Sequence, residues 1–305
     1  MKRVAIVGAS GHIGKALASH YANCPDIALA LYSRRPQITQ ALFSGRATGG
    51  RVSHHALDYL ELCAADILVN CVGIGDPANA RKAGPAFYQL TMELEDRLDR
   101  VVQGNPGCLT VFMSSGAVYG KLDTGPADET SVASIPINRI APSEWYGSAK
   151  LAAELRHRAQ PERRVLDIRV FGFVSEFLDL GTQYLICDIV KALRTGTVMH
   201  TSDQDIVRDY IGTAELAELI DLANERPSIN MAVDTYSLEP VSKFVLLDAL
   251  RPLGLAWHIE ASGEQTGRHH YWSRLRSAES LGYRPVRKST DIVREIVIGM
   301  ADVNE

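Results

Sequence analysis

Tyr146 and Lys150 stand four residues apart in the run Tyr146-Gly147-Ser148-Ala149-Lys150. On a helix that spacing puts a phenol and an ammonium on one face, where the positive charge can draw the tyrosine's pKa down from about 10 towards neutrality. A phenol so acidified can protonate a carbonyl oxygen that receives hydride. A place for the hydride carrier comes at the N-terminus. There Val4-Ala5-Ile6-Val7 reads as a buried strand and runs into Gly8-Ala9-Ser10-Gly11-His12-Ile13-Gly14, with an amphipathic helix after it. Strand, glycine turn and helix together aim backbone N–H groups and the positive helix end at a pyrophosphate. The spacing Gly-x-x-Gly-x-x-Gly is one residue wider than the usual dinucleotide fingerprint, and a tight turn without a ligand is the alternative.

An enzyme using NAD offers Asp or Glu to the ribose diol at the end of the second strand. This chain has Ser33-Arg34-Arg35 there. Two guanidinium groups can hold a 2′-phosphate through bidentate bonds, which points to NADP; a pair of solvated surface arginines is the alternative.

These residues need a scaffold, and the chain has the rhythm of one. Short apolar runs at Val4 to Val7, Ile27 to Tyr32, Ile67 to Cys71, Leu109 to Met113 and Val165 to Val170 alternate with helical stretches at Ile13 to Tyr21, Pro85 to Val102 and Ser143 to Arg158. That pattern predicts an α/β fold, a doubly wound parallel (Rossmann) sheet over residues 1–170. Beyond Phe171 the helical patterns Tyr184 to Arg194, Thr213 to Asn224 and Pro240 to Leu250 predict a smaller α/β substrate lobe over 171–305. A segment near 205–225, including the strand-like run Val207 to Ile211, is expected to return to the first lobe. Without a low-complexity linker or a repeat, the lobes are expected to share one cleft.

Composition excludes several classes of partner. A net charge of -4 without a long basic block argues against nucleic acid and anionic membranes. The apolar N-terminal run stops after four residues, too short for a signal peptide, and no run approaches the ~20 residues of a membrane helix. Five scattered cysteines without a CxxC pair fit a reducing cytoplasm. His54-His55 and His269-His270 lack acidic or cysteine partners at ligand spacing, so no metal site is expected.

Two further runs complete a recognisable series. Ser114-Ser115-Gly116-Ala117-Val118-Tyr119-Gly120 precedes the Tyr146 run, and Val207-Arg208-Asp209-Tyr210-Ile211 follows it. With the glycine turn and Asn70-Cys71-Val72-Gly73, the chain resembles the extended short-chain dehydrogenase/reductase family, within it the nucleotide-sugar epimerases, dehydratases and reductases. The resemblance runs from Val4 to about Pro285. It implies Tyr146 as general acid/base, Lys150 as the holder of the nicotinamide ribose, and Ser115, rather than Ser114, as hydrogen-bond partner of the substrate oxygen. It places Asp58 beside the adenine and Asn70, Cys71 and Val72 along the cofactor. Arg208 is its candidate for a nucleotide-sugar diphosphate, an ion pair with Asp203 or Asp205 being the alternative. Gln183, in the stretch Ser175 to Tyr184 with Glu176 and Asp179, is expected to face the sugar. Arg268 and Arg274 are candidates for a second phosphate contact.

Departures from the family narrow the chemistry. Dehydratases carry Asp-Glu after the catalytic hydroxyl, where this chain has Gly116-Ala117, which cannot move a proton. The cysteine of the 3,5-epimerase/reductases is missing, and Gly172 stands where epimerases place asparagine. The resemblance therefore implies an NADP-dependent reductase of a nucleotide-diphosphate 4-keto-6-deoxysugar. A nucleotide-sugar 4-epimerase with tightly bound NAD(P), a non-catalytic NADP redox sensor, and a reductase of a small ketone or lactone stay open. Relatives pair as homodimers through the helices near Pro85 to Val102 and Tyr146, and Phe87, Leu90, Leu94, Leu98 and Val101 offer an apolar face. Burial of that face within the monomer is the alternative.

Overall fold

Strands covered on both faces need apolar side chains pointing both ways, and the runs that meet this demand form the central sheet. In the computed structural model, which describes residues 1–46, 48–120, 122, 125–260 and 270–301, these are β1 (Lys2–Val7), β2 (Ile27–Ser33), β3 (Val52–Ala56), β4 (Ile67–Asn70), β5 (Leu109–Ser115) and β6 (Val165–Val170). They continue into a later strand, β9 (Asn230–Asp234), which pairs with β6. All are parallel, in the order β3-β2-β1-β4-β5-β6-β9. The order reverses between β1 and β4, and at such a switch point a crevice opens beyond the strands' carboxyl ends.

Alternation along β1 shows how the two layers are fixed. Val4 and Ile6 pack under α1 (His12–Ala22) and α7 (Thr213–Asn224), with Leu17, Leu216 and Ile220 buried around them. Ala5 and Val7 face the opposite layer, with Leu94, Leu98 and Val102 of α4 (Pro85–Gln103). Beside α4 lies α5 (Trp145–Arg158), which also touches β5. The shorter helices α2 (Pro36–Leu42) and α3 (Pro77–Ala83) follow β2 and β4.

A second group of elements closes over the carboxyl end of the sheet. The short strands are β7 (Met199–Ser202), β8 (Val207–Arg208), β10 (Val241–Ser242), β11 (Trp257–Glu260) and β12 (His270–Tyr271). β8 lies between β10 and β12, and β7 pairs with β11. Their core is shared by α6 (Leu185–Thr195), α8 (Lys243–Ala249) and α9 (Ser289–Ala301) through Ile189, Leu246, Leu247, Val293 and Val297.

Three elements differ from the sequence expectation. Val207 to Ile211 does not rejoin the large sheet: only Val207 and Arg208 form a strand, in the small sheet, and Ile211 makes a single bridge to Phe173. The elements that do return are α7, packed on α1, and β9. Pro240 to Leu250 begins as strand β10 before its helix starts at Lys243. Among the described residues no helix is long and apolar enough to cross a membrane.

Candidate active site

The switch point is built from glycine. Gly8 has φ +80°, and a Cβ there would stand 2.9 Å from Val72 N; a Cβ on Gly14 would stand 2.4 Å from the Gly8 carbonyl oxygen. Only hydrogen fits at either position. Gly11 begins α1 without a side-chain cap, so the first N–H groups of the helix stay available to an anion. Ser10 and Ile13 flank this opening in the chain. His12 is held from the segment after β6: Nε2 lies 2.9 Å from Ser175 Oγ and the ring packs edge-on to Phe173 at 4.9 Å. Burial pushes the His12 pKa down to about 4, with Lys15 adding to it, so the ring is neutral and tethers the turn to the segment after β6.

At the end of β2, Ser33 is buried and its Oγ has no hydrogen-bond partner, while Arg34 and Arg35 are exposed. An orphaned hydroxyl beside two exposed guanidiniums, with a glycine cradle opposite, fits a dinucleotide. Asp58 is exposed in the short 3-10 turn after β3.

Beyond β5 the chain makes a 3-10 turn, Gly116–Tyr119, and α5 lies hard against it: a Cβ on Gly147 would stand 2.3 Å from the Ala117 carbonyl oxygen. This approach brings Tyr146 close enough to Ser115 for the serine hydroxyl to bear on the tyrosine's pKa. Ser115 Oγ also accepts the Ala117 N–H at 3.2 Å and lies 2.9 Å from Tyr271 Oη of β12. Phe87 stacks on the Tyr146 ring at 5.1 Å. Ser114 is buried and donates to Glu154 at 2.5 Å. Glu154 in turn pairs with Arg169, which donates to the Tyr119 hydroxyl, itself bonded to Asp234. Ser115 is thus the serine left facing the cleft.

The structure corrects the electrostatic role expected of Lys150. Its ammonium is buried and donates to the carbonyls of Met113 at 2.7 Å and Val72 at 3.3 Å, standing 5.9 Å from the Tyr146 ring centre. Burial raises the Tyr146 pKa, Tyr271 and Tyr184 adding to it and the Ser115 hydroxyl opposing. Burial likewise lowers Lys150 to about 8, against the pull of Glu95, Cys71, Glu154 and Asp167. Loss of hydration outweighs a lysine whose bonds point elsewhere.

On the substrate side, Arg208 in β8 sits in register with Tyr271 of β12. Gln183 is exposed just ahead of α6, and the neighbouring Tyr184 hydroxyl bonds to the Gly75 carbonyl, spanning the cleft. Arg268 lies outside the described residues. Arg274 stacks over Trp272 at 5.7 Å. Tyr271, missed in the sequence, lies 156 residues from its partner Ser115, so no local spacing announces it. A Cβ on Gly116 would stand 2.3 Å from the Phe171 ring. The space a dehydratase would give to a carboxylate is filled. Among the described residues no group of three or more His, Cys, Asp or Glu side chains is placed to hold a metal ion.

A doubly wound parallel sheet with a glycine turn at its switch point and Ser, Tyr and Lys gathered beside it defines an extended short-chain dehydrogenase/reductase. The chain belongs to the NAD dependent epimerase/dehydratase family, which residues 4–237 match. No curated protein matches the sequence significantly. Among solved structures, a UDP-glucose 4-epimerase of Thermotoga maritima with UDP-glucose superposes with a TM-score of 0.80 at 16% identity, covering 99% of this chain and 100% of that one. A UDP-glucose-4-epimerase of Stenotrophomonas maltophila with bound NAD and formylated UDP-arabinopyranose gives 0.80 at 17%, covering 100% of both. A dTDP-glucose 4,6-dehydratase of Bacillus anthracis in complex with NAD gives 0.76 at 14%, covering 100% of this chain and 98% of that one. At these identities the likeness is one of fold.

Proposed function

We propose that this chain is an NADP-dependent reductase of a nucleotide-diphosphate 4-keto-6-deoxysugar, working as a homodimer through α4 and α5. The observation that carries the proposal is the close approach of α5 to the turn after β5, which gathers Tyr146, Ser115 and the buried Lys150 at one place. The dinucleotide, when bound, supplies the hydride. Tyr146 gives its proton to the carbonyl oxygen as negative charge grows there, and Ser115 holds that oxygen in place. The raised pKa keeps the phenol protonated before reaction. Lys150 holds the nicotinamide ribose, and Arg208 and Gln183 are the substrate contacts proposed from the described residues. Dehydration is disfavoured because Phe171 occupies the space beside Gly116. Arg34 and Arg35 favour NADP over the NAD bound in the solved relatives.

NADPH oxidation measured against a panel of nucleotide-linked 4-ketosugars tests the proposal. Tyr146→Phe is expected to keep NADPH affinity and lose turnover at least about a hundredfold, the contribution of a positioned general acid. Near-full activity in that variant refutes the role. The family match also accommodates a 4-epimerase. Dinucleotide retained through purification, with interconversion of a nucleotide sugar and no net NADPH consumption, identifies that alternative.

A further inference from the structure

Beneath Lys150 lies a row of buried charges that proton donation does not use. His157 follows Lys150 by seven residues, two turns of α5, and so shares its face. The ring is 1% exposed. Its Nδ1 lies 2.7 Å from Asp167 Oδ1 of β6, and its Nε2 lies 3.0 Å from Glu95 Oε2 of α4. A ring with a carboxylate at each nitrogen donates from both and is an imidazolium. Asp167 is completed by Arg158 at 2.6 Å.

Glu95 leads back to the cleft. Its other oxygen accepts from Asn70 Nδ2 at 2.9 Å, and Asn70 Oδ1 accepts the Val72 N–H at 3.0 Å. The Val72 carbonyl accepts from Lys150, and its nitrogen lies against Gly8 of the glycine turn. We propose that Glu95, His157 and Asp167 form a positioning row that fixes the Asn70 amide and, through it, the Val72 peptide that joins the glycine turn to Lys150.

The chemistry of the amide explains why an acceptor is needed at Glu95. An asparagine amide has two nearly isosteric orientations, and the wrong one would set its NH₂ against the Val72 N–H. Glu95 Oε1 accepts from the amide, so it selects the other. His157 holds the Glu95 carboxylate in place by donating to it. Packing alone gives no reason for the row, since a buried ion cluster is commonly no more stable than apolar side chains of the same volume. The bearing of Val72 on a dinucleotide rests on the function proposed above.

Hydrogen exchange of the Val72 amide, followed by NMR in the full-length protein, tests the row. In Glu95→Leu the Val72 amide is expected to exchange about tenfold faster than in the wild type relative to β4 amides, the effect of one lost hydrogen bond. The NADPH dissociation constant, read by fluorescence, rises by a similar factor. Glu95→Gln still accepts from Asn70 and donates to a neutral His157, and restores both to within about twofold. A merely structural row would loosen the sheet evenly and leave Val72 no different from its neighbours. Should Glu95→Leu not fold, His157→Gln is the second variant and is expected to loosen Val72 to the same degree. Unchanged Val72 protection in a folded variant overturns the proposal, as does failure of Glu95→Gln to restore it. Exchange needs neither substrate nor cofactor, so a failure of the reductase function and a failure of the row are seen separately.

Discussion

In the proposed function Arg34 and Arg35 decide the cofactor: both are exposed, and Ser33 beside them keeps an unpaired hydroxyl. Arg34→Ala is expected to raise the Michaelis constant for NADPH about tenfold, the effect of one charge-assisted hydrogen bond, and leave that for NADH unchanged. An unaltered preference for NADPH would remove the arginines from the 2′-phosphate. The gathering of the glycines, Ser115, Tyr146 and Lys150 was legible because their chemistry demands particular types at short spacing. Glu95 and His157 were not, being 62 residues apart and joined only by the fold. The sign of the Tyr146 shift was illegible too, because burial decides it and spacing does not report burial. His157 shows what such hidden pairs do to stability. Burial lowers its pKa, but the hydrogen bonds to Asp167 and Glu95 outweigh this and hold it at about 9. The unfolded chain releases that proton near 6.5. The stabilisation is therefore complete below pH 6.5 and is lost as pH rises through 9; at about 1.4 kcal/mol per unit it is on the order of 3 kcal/mol. Lys150, held at about 8 in the native state, adds stability as pH rises above 8 and offsets part of the loss. Between pH 6.5 and 8 His157 acts without that offset. Urea unfolding is expected to show the wild type losing about 2 kcal/mol more than His157→Gln over this window. Parallel pH dependences in the two proteins would mean that His157 is not charged.

The helix that carries Tyr146 is held to the turn that carries Ser115 by the approach of Gly147 to Ala117. Glycine in a helix is about 1 kcal/mol less favourable than alanine, so on propensity Gly147→Ala should stabilise. A Cβ 2.3 Å from a backbone carbonyl oxygen reverses the sign, because overpacking typically costs about 1–3 kcal/mol and the backbone cannot step aside as a side chain would. Gly147→Ala is expected to melt lower and to lose kcat as Tyr146 is pushed off Ser115, with the NADPH dissociation constant little changed. A variant that melts higher with full kcat contradicts the close contact. Elements with strong local patterns were legible: Thr213–Asn224 and Val165–Val170 fall where their apolar runs predict. β9 was not, because Asn230-Met231-Ala232-Val233-Asp234 sits at the sheet edge, only partly buried, and lacks the apolar run of a strand covered on both faces. The two-residue strands β8, β10 and β12 exist only through one another, and a strand defined by its partners leaves little trace in its own residues.

Assembly depends on how much apolar surface the monomer leaves over. Phe87, Leu94 and Leu98, offered by the sequence as an interface, are buried against the sheet and against α5. Large apolar exposure on the paired helices falls to Leu90, 45% exposed, and Leu155, 62% exposed. An isologous dimer through α4 and α5 buries each of them twice. Four leucines at roughly 1.5–3 kcal/mol for full burial give an upper range of about 6–12 kcal/mol, and partial exposure at the start lowers it. Association itself costs about 4–15 kcal/mol, so the balance falls well short of the tight, obligate dimer that a wholly exposed apolar face would give. Polar contacts at the rim can add affinity, yet a dissociation constant in the micromolar range, equivalent to about 8 kcal/mol, is the most this surface supports. Light scattering is expected to give a mass near twice the 33.4 kDa of the chain at tens of micromolar, falling towards one chain on dilution. Leu155→Glu should remain at one chain throughout with its melting temperature nearly unchanged, since the side chain it replaces touches solvent in the monomer. A wild-type mass of one chain at high concentration rejects the dimer; a mass of two chains that survives nanomolar dilution shows that some other surface holds it.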